Sequence, residues 1–382
     1  MQFPEIVVQH SEGEVSLLVG GDCGPVHGPR DGFSIEGYTE MVRPALARAD
    51  MRFVNCMRTY STRPVANELA PQVGQTPEMA QIFSDCRFDA VTMANNHTYD
   101  NGPDAMLDTR ANLQGRGIRV TGVGRNLAEA REPAIIERQG IKVGYLGACS
   151  VCAQGSEAGT NKPGIAPLRV NTSYDTRGPN APVRILTEPV DSDLNRLLDD
   201  VRQLRRQVDV VIVALHFGVL RIPRVISDYQ VTAAHACIDA GADLIVGHSP
   251  HVPKAIEVYK GKAIFYSLGV FCMTRTGAAD TWNEPPWVQG AIGNYAELDP
   301  DYPFMPYGRD CTKSLLAKAV ITQAGVQRVS FLPMKIDKRY RPEVLRASDP
   351  RFGEIQQYME WASQGFDHRF TVEGDEVVVA GQ

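Results

Sequence analysis

Short apolar runs alternate with amphipathic stretches over the first 275 residues of the chain. The runs have strand length and are rich in β-branched residues, as in "VSLLVGGD", "RFVNC", "VDVVIVALH", "ADLIVGHSPH" and "AIFYSLGVF". The stretches between them carry apolar residues at helical spacing, as in "EGYTEMVRPALARAD", "GPDAMLDTRANLQGRG" and "SDLNRLLDDVRQLRRQV". Pro77 and Pro103 are each followed by an acidic residue, which suits the first turn of a helix. This alternation predicts an α/β fold.

Two segments interrupt the alternation. Residues 150–185 are rich in Gly, Pro, Ser and Asn and are predicted to form a long irregular excursion. Residues 272–313 are rich in Pro and aromatic residues without a period, which is typical either of a lid over a binding site or of a loop packed on the surface. The aromatic side chains that could close over a site are Trp282, Trp287, Tyr302, Phe304 and Tyr307.

Strands and a final helix are predicted after the second excursion. "SLLAKAVITQAGVQRVSFLPMKI" indicates two strands joined by a turn, and "RFGEIQQYMEWASQGF" indicates a closing helix. We therefore divide the chain into a core at 14–271, the aromatic and Pro-rich lid excursion at 272–313, and returning strands with a C-terminal helix of the same domain at 314–382.

The composition excludes several classes of protein. With 43% hydrophobic and 22% charged residues, the chain is typical of a globular protein rather than a disordered or fibrous one. The net charge of -6 and the lack of a basic run longer than "RR" argue against nucleic acid as a partner. No apolar segment is long enough for a membrane span, and the N-terminus lacks signal-peptide features.

The eight cysteines are scattered, which is typical of free thiols in a reducing compartment and predicts a cytoplasmic location. Cys149 and Cys152 form a lone CxxC pair. The residues after it read as a loop rather than a helix, so the pair is more typical of an incidental spacing than of a redox site.

Polar side chains follow five of the predicted strands at the point where each strand ends. In open α/β sheets ligands bind at the carboxyl ends of the strands, so we expect these side chains to converge on one edge. Each of them alone also fits a turn or packing role. Together, their carboxylate, amide and imidazole groups form a shell suited to Zn, Mn, Fe or Ni. They are Asp22, Asn55, Asn95, Asn96, His97, His216, His248 and His251.

The order of these motifs resembles that of the CapA-type proteins, which are named for poly-γ-glutamate capsule synthesis and are similar to calcineurin-like metallophosphoesterases. "GD", "ANNHTYDNG", "ALHFG", "GADLIVGHSPHV" and "IFYSLGVF" carry the resemblance, which covers roughly residues 14–275. It implies a four-layer α/β/β/α sandwich with a metal site at the strand ends. In "GHSPH", Gly247 is expected to let the chain leave its strand so that the two histidines reach the site.

The resemblance also implies roles for individual residues. Asp22 and His251 would hold one metal, and Asn96, His216 and His248 a second. His97 would be the acid/base, oriented by Asp100. His27, in the loop after Asp22, could support a ligand.

Three departures change this expectation. Met57, Leu220 and Val270 stand where the family usually has Glu, an acidic residue and Asn. A two-metal site generally needs a bridging carboxylate. We therefore expect one divalent transition metal rather than two, held by Asn96, His216 and His248 with help from Asp22 or His251. Cys23 and Cys56 could supply a thiolate but are better explained as packing residues.

These features favour a metal-dependent hydrolase that acts on an amide or γ-glutamyl-like bond, or on a phosphoester, of a small organic substrate. Arg58, Arg221 and Arg224 could pair with a substrate carboxylate, or they could be surface charges. One alternative is a metal-dependent epimerase, isomerase or lyase that removes a proton next to a metal-bound carbonyl. Another is a non-catalytic capsule or polymer assembly protein. Self-association into a homo-oligomer is left open.

Overall fold

Two β-sheets face each other in the computed structural model, which describes residues 13–26, 35–63, 75–176, 183–274, 299–305 and 308–382. One cluster of buried apolar side chains fills the space between the sheets. A second cluster lies between the first sheet and its helices, and a third between the second sheet and its helices. This is the four-layer α/β/β/α sandwich that was predicted.

The first sheet combines parallel and antiparallel strands. Its main strands lie in the order β19, β20, β17, β16, β1, β2, β3, β4, while β15 pairs with β1 and β18 with β17. β1 to β4 run parallel to one another, so their carboxyl ends meet at one edge. The strands are β1 (Val15–Gly24), β2 (Met51–Cys56), β3 (Ala90–Thr92), β4 (Arg119–Thr121), β15 (Val270–Met273), β16 (Lys313–Thr322), β17 (Gly325–Ile336), β18 (Pro342–Val344), β19 (Arg369–Glu373) and β20 (Glu376–Ala380).

The second sheet lies in the order β13, β14, β12, β11, β7, β6. Its four central strands are parallel, and the antiparallel strands β13 and β6 form its edges. The strands are β6 (Ala134–Arg138), β7 (Ile141–Cys149), β11 (Val210–His216), β12 (Leu244–His248), β13 (Ile256–Tyr259) and β14 (Lys262–Phe265). Two small pairs lie outside the sheets: β5 (Val123–Gly124) with β8 (Gly164–Ile165), and β9 (Val170–Asp175) with β10 (Arg184–Pro189).

Helices cover the outer faces of both sheets. α1, α2 and α3 contribute to the cluster behind the first sheet, and α5 and α6 to the cluster behind the second. α7 packs against β13 and β17 and joins the core between the sheets. The α-helices are α1 (Arg43–Leu46), α2 (Gln81–Asp85), α3 (Gly102–Gly115), α4 (Leu127–Ala130), α5 (Asp191–Arg205), α6 (Asp228–Ala240) and α7 (Pro350–Ser363), and the 3-10 helices are Ile35–Tyr38, Pro77–Ala80 and Arg309–Thr312.

Strand alternation carries polar residues to the edge between the sheets. Every second residue of β11 and of β12 faces the core between the sheets, as Ile212 and Val246 do. The same face ends in His216 and His248, which are direct neighbours in the parallel register. In β2, Phe53 stacks on Tyr145 of the opposite sheet at 4.6 Å, and Asn55, two residues later, lies on the same face.

A β-bulge in β1 changes the direction in which the Asp22 side chain points. Val15, Leu17 and Val19 face the core between the sheets, and the register with β2 shifts between Val19 and Asp22. The shift turns Asp22 toward the site, while Cys23 joins the cluster on the helix side. Gly21 lies at this bulge, where a Cβ atom would come within 2.0 Å of the Gly269 carbonyl oxygen.

Several elements differ from the sequence prediction. The single strand predicted for "AIFYSLGVF" is two strands, β14 and β15, in different sheets, because the chain crosses between the sheets after Phe265. The helix predicted for 36–50 consists of two short pieces, since Pro44 cannot donate a main-chain hydrogen bond and begins a new helix. Residues 150–185 are not wholly irregular, because β8, β9 and the start of β10 lie there.

The C-terminal region also contains more than was predicted. α7 is followed by the hairpin of β19 and β20, which extends the first sheet beyond β17. In the lid excursion, Tyr302 and Phe304 pack against Tyr340, and the main-chain N–H of Phe304 donates to the Tyr340 hydroxyl oxygen at 3.2 Å. Trp282, Trp287 and Tyr307 of the same prediction lie outside the described residues. None of the helices in the described part of the chain has both the length and the apolar character of a membrane span.

Candidate metal centre

The predicted polar residues of both sheets meet at the carboxyl ends of β1, β2, β11 and β12. Asn96 Oδ1 lies 2.9 Å from Nε2 of His216, and Asp22 Oδ2 lies 2.8 Å from Nδ1 of His251. Two donors bound to one ion at about 2.1 Å each lie about 3 Å apart. Nδ1 of His248 is 3.9 Å from Asp22 Oδ1, which is too long for a hydrogen bond. All five predicted metal ligands therefore lie in one cluster.

Asn55 links the two sheets at the centre of this cluster. Its side-chain amide donates to Asp22 Oδ1 at 2.8 Å, and the same nitrogen lies 3.3 Å from Nδ1 of His216. Asn55 is fully buried and is the register partner of Asp22 in the neighbouring strand. It thus orients a carboxylate from one sheet and an imidazole from the other.

The orientation of Asn55 follows from its neighbour Asn95. Asn95 Oδ1 accepts the main-chain N–H of His97 at 3.0 Å and the Thr98 hydroxyl at 3.1 Å. Its amide nitrogen must then face the other way, where it donates to Asn55 Oδ1 at 3.0 Å. Asn55 consequently presents its NH2 group, and not its oxygen, to Asp22 and His216.

The loop after β12 is held in an unusual backbone conformation. Ser249 has a φ of 101° and His251 a φ of 59°, and both lie in the left-handed region that non-glycine residues rarely adopt. Such conformations cluster at functional sites. The main-chain N–H of Ser249 donates to Asp22 Oδ2 at 3.3 Å, so the loop is bound to β1 of the opposite sheet.

The sequence interpretation of Gly247 is corrected by this geometry. Gly247 is still part of β12, and the chain leaves the strand only after His248. A glycine is required for a different reason: a Cβ atom here would lie 2.3 Å from the carbonyl oxygen of Tyr266. The glycine thus lets the segment after Phe265, which crosses from the second sheet to the first, pass close to β12 beside the site.

His248 is the clearest sign that the cluster suits a ligand. It is 1% exposed, and neither ring nitrogen has a hydrogen-bond partner among the described residues. Leaving a buried polar atom unsatisfied costs about 1 to 3 kcal/mol, so such atoms in a folded protein call for an explanation such as a bound ion. An imidazole that is buried and unpaired in this way fits a metal ligand.

Burial keeps the imidazoles in the neutral form that binds metals. It lowers the pKa of His216 to about 3 and that of His248 to about 4, and it also lowers the pKa of His251. Burial alone would raise the pKa of Asp22, but the hydrogen bond with His251 and the nearby imidazoles hold it below its ordinary value. The cluster thus offers one carboxylate and three neutral imidazoles.

The carboxylate of Asp22 also selects the tautomer of His251. An ionised carboxylate only accepts hydrogen bonds, so the proton of the neutral ring lies on Nδ1. Nε2 is then the unprotonated nitrogen. This arrangement of carboxylate and imidazole is common for histidines that bind metals.

His97 and Asp100 lie at the more exposed side of the cluster. His97 Nδ1 is 2.7 Å from Asp100 Oδ2, and their side chains are 21% and 14% exposed. His97 directly follows Asn96, whose Oδ1 contacts Nε2 of His216 at 2.9 Å, so the pair lies beside the buried donors. The pair therefore combines access to solvent with proximity to the buried donors.

The three predicted substrate arginines are placed differently. Arg58 is 4% exposed and donates to the carbonyl oxygens of Gly24 at 3.3 Å and Thr274 at 3.2 Å, which are structural contacts. The main-chain N–H of Arg221 donates to the carbonyl of Pro250, next to His251, at 2.9 Å. Burial is the main cause of the lowered pKa of His251, and the charge of Arg221 lowers it further. Arg224 lies over the ring of Trp361 at 5.5 Å.

The thiols beneath the site fit packing better than metal binding. Cys23 and Cys56 are fully buried on the helix side of the first sheet. Burial raises the pKa of Cys56 to about 12 and that of Cys23 well above its ordinary value, so both stay protonated. Cys149 ends β7, and the loop that contains Cys152 opens no helix, as the sequence indicated.

The residues present fit a divalent cation in chemistry and in approximate spacing. The support is the unpaired His248 ring, together with oxygen and imidazole donors drawn from both sheets. As the side chains lie, no three His, Cys, Asp or Glu residues of the described ranges form a closed set around one point. Binding would therefore need a local adjustment of the side chains. Asn96 Oδ1 and His216 Nε2, which now contact each other, would both turn toward the ion.

Asn55 and Asn95 were expected at this edge, but no individual role was predicted for either, and Ser249 was not predicted to belong to the site. Asn55 and Asn95 had been noted at strand ends, and that position was the available signal. Their roles depend on the orientation of an amide group and, for Ser249, on a main-chain N–H. Neither property can be read from residue type. His27 lies outside the described residues.

Comparisons with known proteins agree with the motif pattern. Residues 16–275 match the family described as bacterial capsule synthesis protein PGA_cap. The chain is 31% identical over 195 residues to the PGA biosynthesis protein CapA of Bacillus subtilis strain 168, an alignment that covers 51% of this chain and 45% of that protein.

A second relative is the probable polyglutamine synthesis accessory protein Rv0574c of Mycobacterium tuberculosis, 33% identical over 197 residues, which covers 50% of this chain and 47% of that protein. The chain thus spans about half the length of these relatives.

Among solved structures, the chain is similar to the calcineurin-like phosphoesterase YfkN from Bacillus subtilis. The TM-score is 0.38 and the identity 11%, with coverage of 87% of this chain and 89% of that chain.

Proposed function

This chain belongs to the family of bacterial capsule synthesis proteins, and from that premise we propose that it is a metal-dependent hydrolase. The observation that carries the proposal is the position of the His97 and Asp100 pair next to Asn96, which contacts His216 in the donor cluster. An acid/base group next to a metal centre is the arrangement that hydrolysis requires. A protein that served only as a scaffold would have no physical need for it.

The metal would be held by Asn96, His216 and His248, with Asp22 or His251 completing the set. When bound, a divalent cation such as Mn, Zn, Fe or Ni supplies Lewis-acid polarisation of the substrate and lowers the pKa of water. Asp22 fixes the tautomer of His251, and Asn55 orients both Asp22 and His216. These contacts hold the donors in one cluster before any ion binds.

His97 would transfer the proton in the reaction. Its Nδ1 faces Asp100, so its Nε2 is the atom available to a leaving group. The carboxylate of Asp100 stabilises the protonated ring and fixes its orientation. Because the His97 side chain is partly exposed while the donors are buried, it can meet a substrate that enters from solvent.

One ion fits this chain better than two. Met57 is fully buried in place of the acidic residue of the family pattern, and a thioether cannot bridge two cations as a carboxylate does. The Asn55 amide, which lies between Asp22 and His216, presents donors rather than an acceptor. Both features lower the negative charge that a second cation would need.

The substrate we propose is a small organic molecule with an anionic group. The bond cleaved would be amide or γ-glutamyl-like, in keeping with the names of the relatives, or a phosphoester. Arg221, whose main-chain N–H donates to the carbonyl of Pro250 next to His251, would pair with a carboxylate or phosphate oxygen. Arg58 is held by main-chain carbonyls, so we give it a structural role instead.

A direct assay tests the proposal. Protein loaded with Mn or Zn is incubated with γ-glutamyl p-nitroanilide and, separately, with p-nitrophenyl phosphate. We expect release of the chromophore from one of them, dependent on the metal and lost in His97→Ala. Failure of the loaded protein to cleave either class of bond would overturn the hydrolase proposal.

A second candidate reaction is supported by the same buried Met57. Without a bridging carboxylate, a single ion could instead acidify a proton next to a bound carbonyl, and His97 could remove it. The product would then be an epimer, an isomer or the result of a lyase reaction.

A further inference from the structure

Lys254 carries a buried amino group that the proposed mechanism does not use. It follows His251 by three residues, in the segment between β12 and β13, and its exposed fraction is 0%. A buried ammonium group is costly unless hydrogen bonds satisfy it. Its partners therefore indicate what it does.

The partners are two carbonyl oxygens of one loop. Nζ of Lys254 donates to the carbonyl of Val219 at 2.7 Å and to that of Val225 at 2.6 Å. The loop between β11 and α6, residues 217–227, contains no helix or strand, so its main chain lacks the hydrogen bonds of regular structure. One side chain thus fixes both ends of the segment from Val219 to Val225.

Arg221 lies inside this segment. Its main-chain N–H donates to the carbonyl of Pro250 at 2.9 Å, and its φ of 62° is in the left-handed region. Arginine does not favour that conformation, so surrounding contacts must hold it. Leu220 and Val225 are 46% and 41% exposed, so burial of their side chains gives the loop little support.

We propose that Lys254 is a positioning residue that fixes the loop from Val219 to Val225 and so holds Arg221 beside His251, where it binds the anionic group of the substrate. The proposal rests on the proposed function, in which Arg221 contacts the substrate. Lys254 itself touches no reacting atom. It connects the segment that carries the candidate ligands His248 and His251 to the segment that carries the anion-binding arginine.

Hydrogen exchange tests the structural half of the proposal without a ligand. Amides of residues 217–227 are compared in the full-length wild type, in Lys254→Met and in the matched control Lys262→Met, whose lysine bonds Asp243 at 2.8 Å instead of this loop. We expect exchange about tenfold faster in Lys254→Met only, as loss of the two hydrogen bonds that hold the loop implies. Unchanged exchange would overturn the proposal. Should Lys254→Met fail to fold, Lys254→Gln, which keeps one donor, takes its place.

Phosphate binding tests the functional half. The visible spectrum of the Co²⁺-loaded protein is followed while inorganic phosphate is added. We expect Lys254→Met and Arg221→Met each to weaken phosphate binding about tenfold. The spectrum before phosphate is added should be unchanged in both. The double variant should lose no more affinity for phosphate than either single variant. Lys254→Arg should recover part of the affinity.

The outcomes separate this proposal from the proposed function. If the losses of phosphate affinity multiply in the double variant, Lys254 does not act through Arg221. A changed Co²⁺ spectrum in Lys254→Met would show that it supports the metal ligands instead. If the wild type takes up no Co²⁺, the proposed function fails, while the exchange measurement still decides whether Lys254 fixes the loop.

Discussion

Nδ1 of His97 lies 2.7 Å from Oδ2 of Asp100, three residues further along the chain and at the exposed side of a cluster whose three other imidazoles are buried. The pair explains how one histidine among several can act on protons. His216 and His248 are held neutral by burial, whereas His97 has a carboxylate partner and access to solvent.

Replacing His97 by Ala should lower turnover by about 100-fold or more, because a positioned acid/base contributes at least that much. The metal content should not change, since the buried donors remain. Turnover of the metal-loaded variant and elemental analysis of the same sample check this. Asp100→Asn is the matched variant and should lose less turnover than His97→Ala. Loss of the metal in His97→Ala would show that His97 is a ligand.

Replacing Asn55 by Asp should strengthen metal binding by about tenfold or more. A histidine that binds a metal normally donates its other ring N–H to an acceptor, and Asn55 now presents NH2 to Nδ1 of His216. An aspartate would accept that proton. Competition with a chelating indicator measures the affinity, with Asn55→Ala as the control that adds no charge. The metal-free variant should be less stable than the wild type, since a second carboxylate would face Asp22.

If Asn55→Asp binds the metal no more tightly than the wild type, Asn55 does not face a metal ligand as described. The interpretation of His216 as a ligand would then have to be abandoned.

The stability of the protein should rise with pH because of Lys254. Burial lowers the pKa of this residue to about 7 from an ordinary value of 10.5. Between those values the unfolded chain binds the proton and the folded chain does not, so the free energy of unfolding increases by roughly 1 kcal/mol per pH unit. Urea unfolding at several pH values in that window measures it. Lys254→Met should lack this contribution, and equal slopes for the two proteins would contradict the assignment.

Deuterium incorporation should distinguish the two reactions. If the protein is a hydrolase, a substrate cleaved in deuterated water gains no carbon-bound deuterium, because no proton next to a carbonyl is removed. Mass spectrometry of the recovered substrate and product shows this. Carbon-bound deuterium without bond cleavage would favour the epimerase or isomerase candidate.

Much of the fold could be predicted because period and residue type determine it locally. The runs that became β11 and β12 alternate toward the core, and the same alternation placed His216 and His248 at their ends. The α/β fold and the convergence of the polar residues follow from such patterns, whereas the four-layer sandwich was implied by the resemblance to the CapA-type proteins. In α3, Pro103 and Asp104 mark the start of the helix as predicted.

The remainder depends on contacts between distant parts of the chain. The bulge that turns Asp22 inward requires the Gly269 carbonyl to approach Gly21, and the two lie in separate regions of the sequence. The orientation of Asn55 is set through Asn95 by the main chain of His97. The final hairpin was missed although β20 is rich in Val, because its pairing with β17 is a long-range contact.

The measurement that tests the central claim most directly is the metal content of full-length protein purified without chelator, before and after reconstitution with Mn or Zn. The donor cluster predicts about one divalent metal per chain in the wild type and a clear deficit in His248→Ala, whose buried ring has no other partner among the described residues. A wild-type protein that holds no metal even after reconstitution would contradict the account and would favour a non-catalytic assembly role.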